Sequence, residues 1–336
     1  MVHAAIYGCA GLQLSADERA FFRDADPWGF IVFARNISAP SQLRALVENL
    51  RETVGREAAV LIDQEGGRVQ RLRPPDWPAY PPGRAYGAAY AGNLDQGIRA
   101  AWLGGALIGS DLISLGIDVD CLPVLDVPAP GGHDVIGDRA YGTDPQTVAA
   151  LGRAAAEGLL ASGVLPVIKH IPGHGRAGAD SHFDLPRVEA SREALEMIDF
   201  APFKALNDMP LAMTAHVVYT AFDPGLPATT SPLVIERVIR GTIGFDGLLM
   251  SDDLSMQALS GTLGERARDS FAAGCDLVLH CNGDMAEMRL VAAETPMVSG
   301  AAALRAERAE RFKKQRQPLD VEAARAEFSR LLADFV

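Results

Sequence analysis

Short apolar runs rich in Val, Ile and Leu recur along the chain and alternate with longer segments whose apolar residues follow helical spacing. The short runs predict eight strands, at residues 4–8, 29–34, 59–63, 117–127, 165–170, 211–217, 247–252 and 276–281. Amphipathic segments such as residues 41–54 and 146–162 predict helices between them. Strands that are apolar at nearly every position, and that alternate with helices, indicate a parallel sheet covered on both faces.

The number and order of these elements predict an α/β fold, a (β/α)8 TIM-type barrel formed by a single domain over residues 1–336. A doubly wound open sheet is the alternative. Its usual nucleotide ligands need a Gly-rich phosphate-binding motif after a strand, and no predicted strand is followed by one. Residues from about 300 onward are rich in Ala, Arg and Glu and predict solvated helices that complete the fold.

Composition narrows the class of partner. The formal net charge of −12 argues against nucleic acid or an anionic membrane as a partner, since both attract concentrated Lys and Arg. No apolar run approaches the roughly 18 residues of a membrane span. The four cysteines form no C-x-x-C pair, and the apolar start MVHAAIYGCAG lacks the basic residues of an export signal. We therefore expect a cytoplasmic protein.

Polar side chains collect where the predicted strands end, which in such a barrel is the catalytic face. They are Asp63, Asp126, Lys169, His170, His216, Asp252, Asp253 and His280. Each of them alone has an ordinary structural explanation, because an Asp after a strand often caps a helix or forms a turn. Their convergence on one rim favours a functional site, with Asp63 and Asp252 placed to hold a polyol substrate.

The segment KHIPGHGRAGADSH, residues 169–182, carries three of the seven histidines. His170 and His174 have the i, i+4 spacing of a helical metal pair, but the Pro-Gly pair between them disfavours a helix. We therefore predict no metal site, although a metal-dependent amidohydrolase stays open as an alternative. The loop ends in an aspartate, Asp180, two residues before His182. That pattern suits a general acid–base pair, and an Asx turn beside an exposed histidine explains it equally well.

Four motifs occur in one order: LIDQEGGRVQRL, VIGDRAYGTDP, KHIPGHG followed by DSH, and GLLMSDDLSM. With them the chain resembles the bacterial β-N-acetylhexosaminidases of glycoside hydrolase family 3. The resemblance implies a single-domain barrel enzyme of the cytoplasmic type, without a cofactor. It also implies removal of terminal β-linked N-acetylglucosamine from a small carbohydrate, a muropeptide or disaccharide of peptidoglycan recycling.

Position by position, the resemblance implies that Asp252 is the nucleophile, His182 the acid–base residue and Asp180 its partner. The sugar-binding residues that it implies are Asp63, Arg71, Arg139, Lys169 and His170. We assign His174 to shaping the loop. Retaining glycosidases that use two carboxylates hold them about 5–5.5 Å apart. Here a histidine, with an ordinary pKa near ~6.5, takes the place of the second carboxylate.

The chain departs from the family pattern at Ile171, Ala140 and Ala258, where Phe, Ser and Gly are common. None of these changes removes a reacting group, and Ala140 bears on fine specificity through hydrogen bonding near the sugar. A phosphorylase on the same scaffold is the nearest alternative function, because a histidine repels an incoming phosphate less than a carboxylate does. A sugar-binding protein without turnover is the last alternative.

Overall fold

Eight parallel strands close into a barrel in the computed structural model, which describes residues 2–130, 134–181 and 184–335. They are β1 (His3–Gly8), β2 (Pro27–Val32), β3 (Ala59–Ile62), β4 (Val119–Asp120), β5 (Leu165–Ile171), β6 (Leu211–Thr214), β7 (Leu248–Asp253) and β8 (Leu277–His280). Each strand pairs with the next in the chain, and β8 pairs with β1. The predicted (β/α)8 fold class is confirmed.

The strands are apolar throughout because both of their faces are buried. Successive side chains of a strand point to opposite faces. Ile31 and Leu61 accordingly belong to one buried cluster, and Phe30 and Val60 to another. All four are at most 1% exposed.

Helices surround the barrel. The α-helices are Ala16–Ala25, Pro40–Val54, Gly83–Gly92, Leu94–Ile113, Pro145–Ser162, Arg192–Ala194, Ala201–Ala205, Leu263–Ala273, Met285–Glu294, Gly300–Phe312 and Val321–Leu332. Tighter or wider helical turns are Ala34–Asn36, Gly137–Arg139, Leu195–Asp199, Ala228–Thr230, Val234–Thr242 and Lys313–Gln315. No helix in the described ranges combines the length and the apolar character needed to cross a membrane.

The last two α-helices are held against the rest of the protein by ion pairs. Arg305, on the helix Gly300–Phe312, bonds Asp276 at 2.9 Å just before β8. Arg325, on the helix Val321–Leu332, bonds Asp111 on the helix Leu94–Ile113. These contacts attach the C-terminal segment to the barrel layer.

Strand β4 is shorter than the sequence pattern predicts, and the prediction of one strand over residues 117–127 is wrong. The ladder covers only Val119–Asp120, because Pro123 has no N–H to donate to a neighbouring strand. The chain nevertheless continues beside β5, where Leu125 N donates to Lys169 O at 2.7 Å. This path still brings Asp126 to the rim of the barrel.

A small hairpin follows β3 and carries part of the site. Its strands, Gln64–Gly66 and Val69–Gln70, are antiparallel. The turn needs glycine, since Gly66 and Gly67 have φ values of 92° and 56°. A Cβ on Gly66 would also clash with the carbonyl oxygen of Pro81. A second short pair joins Arg187–Val188 with Val218–Tyr219.

Candidate active site

A cavity of about 170 Å³ opens among the C-terminal ends of the strands. Its polar lining is Asp63, Glu65, Arg71, Arg139, Lys169, His170, His174, Ser181, Asp252 and Asp253. Its apolar lining includes Ile31, Phe33, Val69, Ile136, Met213, Met256 and Leu279. A compact ligand in this cavity therefore meets charged groups on one part of its surface and apolar groups on another.

Lys169 is the centre of a buried charge cluster. Its ammonium donates to Asp63 at 2.9 Å and to Glu65 at 2.6 Å, and its side chain is only 2% exposed. Arg71 bonds the other oxygen of Asp63 at 3.0 Å. Arg139 donates two parallel hydrogen bonds of 2.8 Å to Glu65. Cations and carboxylates therefore alternate along this part of the cavity.

The alternation fixes the charge state of the cluster. Burial alone would raise the pKa of Asp63, but Lys169 and Arg71 outweigh it and hold that pKa far below its usual range. For Glu65 burial is likewise outweighed, by Arg139 and Lys169, and the pKa falls to about 2. The two carboxylates in turn raise the pKa of Lys169 against the effect of burial. All three groups are therefore charged at neutral pH.

Asp126 does not line the cavity, but its carboxylate bonds two histidines that do. Its Oδ2 accepts a 2.7 Å hydrogen bond from Nδ1 of His170, and its Oδ1 accepts from the backbone N–H of His174 at 2.7 Å. Burial opposes ionisation of Asp126, but the His170 ring lowers its pKa to about 2. Since Nδ1 of His170 carries the shared proton, Nε2 is the nitrogen left for a ligand.

The two aspartates at the end of β7 have different surroundings. Asp253 is fully engaged: Oδ1 accepts from the backbone N–H groups of Ser255 and Cys281, and Oδ2 from the Ser255 hydroxyl at 2.6 Å. Asp252 accepts one hydrogen bond, from Asp253 N to Oδ1 at 2.8 Å, and among the described residues its Oδ2 accepts none. Asp252 therefore has an oxygen free to meet a ligand.

Asp252 is also ionised. Burial would raise the pKa of this carboxyl, but His170 and His216 lower it overall. His216 is itself buried and donates from Nε2 to the carbonyl oxygen of Asp253 at 3.0 Å. A buried histidine thus fixes the backbone that carries both aspartates.

The loop after β5 borders the cavity at His174 and Ser181, and hydrogen bonds hold it at Ser181. The Ser181 hydroxyl lies 3.2 Å from Nε2 of His174, and its carbonyl accepts from Ala258 N at 3.2 Å. Asp180 is half-buried in this loop. His182 lies outside the residues that the structure describes, so its role stays a prediction. His174 contacts both Asp126 and Ser181, and its assigned role in shaping the loop stays a prediction.

The structure brings six of the predicted site residues to one cavity: Asp63, Arg71, Arg139, Lys169, His170 and Asp252. Glu65, which bonds two of them, was not predicted from the sequence. A signal for it was present, because in an extended chain Asp63 and Glu65 point to the same side. Within the described ranges no three His, Cys, Asp or Glu side chains are arranged to hold a metal ion.

Comparison with known proteins agrees with this geometry. The model of the glycosyl hydrolase family 3 N-terminal domain matches residues 7–310. The chain belongs to glycoside hydrolase family 3. The beta-hexosaminidase of Alkalilimnicola ehrlichii is 42% identical to this family 3 chain over 279 residues, which cover 82% of this chain and 79% of that protein.

Solved structures of the family are similar over nearly the whole chain. NagZ from Neisseria gonorrhoeae, in complex with N-trifluoroacetyl-D-glucosamine, has a TM-score of 0.83 and 32% identity, covering 98% of this chain and 96% of that one. NagZ from the same organism in complex with a zinc ion has a TM-score of 0.82 and 31% identity, covering 99% and 96%.

As a family 3 member with such relatives, the protein is a glycoside hydrolase, a β-N-acetylhexosaminidase. The resemblance carried by the four motifs is confirmed. The metal-dependent amidohydrolase and the sugar-binding protein without turnover are thereby set aside as functions.

Proposed function

We propose that this family 3 hydrolase removes terminal, non-reducing β-linked N-acetylglucosamine from small peptidoglycan fragments, muropeptides or disaccharides, recycled in the cytoplasm. It does so without a cofactor and with retention of configuration. The sugar seen in the NagZ complex carries an N-acyl group, as N-acetylglucosamine does. A cavity with charged groups on one part of its lining and apolar groups on another suits such a sugar, whose hydroxyls need hydrogen bonds and whose methyl group needs apolar contact.

In this proposal the terminal sugar is held by Asp63, Arg71, Arg139, Lys169 and His170. A hydroxyl between a carboxylate and a cation can donate to one and accept from the other, and both bonds are charge-assisted. Each charged group of the Lys169 cluster already has a counter-ion among the described residues, so none of the charges in that cluster is buried unpaired.

The observation that carries the mechanism is the difference between Asp252 and Asp253. Asp252 keeps a free carboxylate oxygen in the cavity, whereas both oxygens of Asp253 are occupied by Ser255 and Cys281. An acetamido-assisted route needs an acidic pair that can orient the amide of the substrate, and Asp253 is not available for that. We therefore assign direct attack on carbon 1 to Asp252.

Asp252 forms an ester bond to carbon 1 while the bond to the leaving oxygen breaks, and His182, with Asp180 as its proposed partner, gives that oxygen its proton. Water next attacks carbon 1, His182 takes the proton from this water, and the Asp252 carboxylate leaves. His182 is therefore protonated at the end of the cycle, as it was at the start.

The decisive experiment traps the ester. A 5-fluoro N-acetylglucosaminyl fluoride should label the peptide SDDLSM at Asp252, and mass spectrometry detects the label. In a separate NMR experiment on normal turnover, the β-anomer of the released sugar should appear first. Asp253→Asn serves as the matched control and should still be labelled, whereas Asp252→Asn should not. Tight binding of a thiazoline inhibitor without any labelled peptide would point to the acetamido route instead.

Substrate class needs a separate measurement. On a panel of chromogenic β-glycosides, the N-acetylglucosaminide should be cleaved much faster than the glucoside and the N-acetylgalactosaminide. Free sugar should remain the product when phosphate is added, and a sugar 1-phosphate would indicate a phosphorylase. Cell fractionation tests the compartment, because recovery mainly from membranes or the periplasm would contradict a cytoplasmic role.

A further inference from the structure

Asp120, at the end of β4, is a buried carboxyl group that the proposed mechanism does not use. It is completely buried and does not line the cavity. Its Oδ1 accepts a hydrogen bond from the backbone N–H of Gln64 at 3.0 Å. In the part of the chain that the structure describes, its Oδ2 has no hydrogen-bond partner. A buried acid with one free oxygen calls for an explanation.

Gln64 connects Asp120 to the cavity. It lies between Asp63 and Glu65, and its backbone is the group that Asp120 holds. Its side-chain Oε1 accepts from the backbone N–H groups of Arg71 and Leu72 at 2.9 and 3.0 Å. One hydrogen bond from β4 therefore fixes the position of a residue that flanks two cavity carboxylates and orients the backbone of Arg71.

The charges around Asp120 favour its neutral form. The titratable groups that act on it or respond to it are Asp63, Glu65, Lys169, Cys121 and Tyr141. Burial raises the pKa of Asp120 well above its usual value, and the two neighbouring carboxylates add to this, against Lys169 and the Gln64 N–H. Lys169 already bonds Asp63 and Glu65. An ionised Asp120 would compete with them for that one ammonium.

We propose that Asp120 is a positioning residue for sugar binding, a neutral carboxylic acid that fixes Gln64 and hence Asp63, Glu65 and Arg71 without competing for Lys169. This inference rests on the proposed function, in which Asp63 and Arg71 hold the sugar. If Asp120 acts in this way, sugar binding needs the oxygen of Asp120 that accepts the hydrogen bond from Gln64, and it does not need a negative charge on Asp120.

Two substitutions separate these properties. Asp120→Asn keeps an oxygen acceptor for Gln64 N and should leave KM within about twofold of wild type, whereas Asp120→Leu removes it and should raise KM about tenfold or more. Asp118→Asn is the matched control. Asp118 lies on the same stretch of chain and also accepts a hydrogen bond from a backbone N–H, that of Val60 at 2.8 Å, but it pairs with Lys313 and Arg51 away from the cavity. Its replacement should lower the melting temperature and leave KM unchanged.

A second readout needs no substrate. In the unfolded chain Asp120 ionises near pH ~4, whereas in the folded protein it stays protonated to higher pH. Wild type therefore loses stability at this residue as the pH rises above about 4, and Asp120→Asn does not. The melting temperature of Asp120→Asn should rise relative to wild type as the pH increases from 4 to 8.

The outcomes are distinct. A tenfold rise in KM for Asp120→Asn, or a melting-temperature difference that does not grow with pH, would overturn the inference. If Asp120→Leu does not fold, the Asn variant and its pH dependence still decide. The variants are compared on whichever β-glycoside wild type cleaves best, so that a preference for another sugar would refute the proposed function without deciding the role of Asp120.

Discussion

Replacing Glu65 with Gln tests the charge cluster at the group that bonds two buried cations. Glu65 accepts two hydrogen bonds from Arg139 and one from Lys169, and its side chain is 4% exposed. Gln has the same shape but no charge, so Lys169 keeps Asp63 as a counter-ion while Arg139 loses the carboxylate that it bonds. Removing one partner of a buried ion pair costs about 3–5 kcal/mol. Since Lys169 retains Asp63, we expect the lower end, about 3 kcal/mol.

Urea denaturation followed by circular dichroism measures this cost. For a slope of about 3 kcal/mol per molar urea, the midpoint should fall by about 1 M. Asp138→Asn is the control, because it breaks the Arg68–Asp138 pair, which has the same 2.8 Å distance but side chains that are 45% and 28% exposed. That pair should contribute at most ~1 kcal/mol. Equal effects of the two substitutions would refute the assignment of a buried charge cluster.

A double-mutant cycle refines the same test. Arg139→Gln should be destabilising alone, and adding it to Glu65→Gln should cost clearly less than the sum of the two single effects, because the bidentate pair is lost only once. Additive costs would mean that the two side chains do not interact in solution.

Three further predictions concern pH, metal and proton transfer. Glu65 and Asp126 have pKa values lowered to about 2, so the stability that their ionised forms provide is complete above about pH 4 and is lost as the pH falls through 2. An acid titration followed by circular dichroism should show this loss of stability, and the loss should be smaller in Glu65→Gln. Dialysis against a strong chelator should leave the rate unchanged, and a large loss restored by zinc would contradict this. His182→Ala should slow substrates with poor leaving groups by about 10²–10⁴-fold while affecting activated aryl glycosides far less, and Asp180→Ala should show the same pattern more weakly. A small uniform effect on both substrate types would assign His182 a purely structural role.

The barrel was predictable because its strands are buried on both faces and therefore apolar at every position. The cavity was largely predictable for a related reason: parallel strands bring their C-terminal ends to one rim, so residues such as Asp63, Lys169 and Asp252 converge there. Strand geometry also predicts different surroundings for Asp252 and Asp253, and their hydrogen-bond partners do differ, although both residues line the cavity.

What the sequence did not reveal depends on contacts between distant segments. The interruption of pairing at Pro123 is a local exception: hydrophobicity alone does not show it, but the proline, which lacks a backbone N–H, is a signal for it in the sequence. The roles of Glu65 and Asp126 are set by partners far along the chain, Arg139 for one and His170 for the other. Only the folded barrel brings these pairs together.

The charge cluster around Lys169 also has a consequence for how the protein folds. Its Asp63–Lys169 contact joins residues 106 positions apart and spans β3 and β5, which are not neighbours in the barrel. Contacts of such long range form late, because a large loop must close before they can form. During refolding, sugar binding should therefore return only when strands β3 to β5 have assembled, which is later than the formation of the helices. The rate at which a fluorescent sugar analogue becomes bound during refolding would then report the final step in forming the barrel.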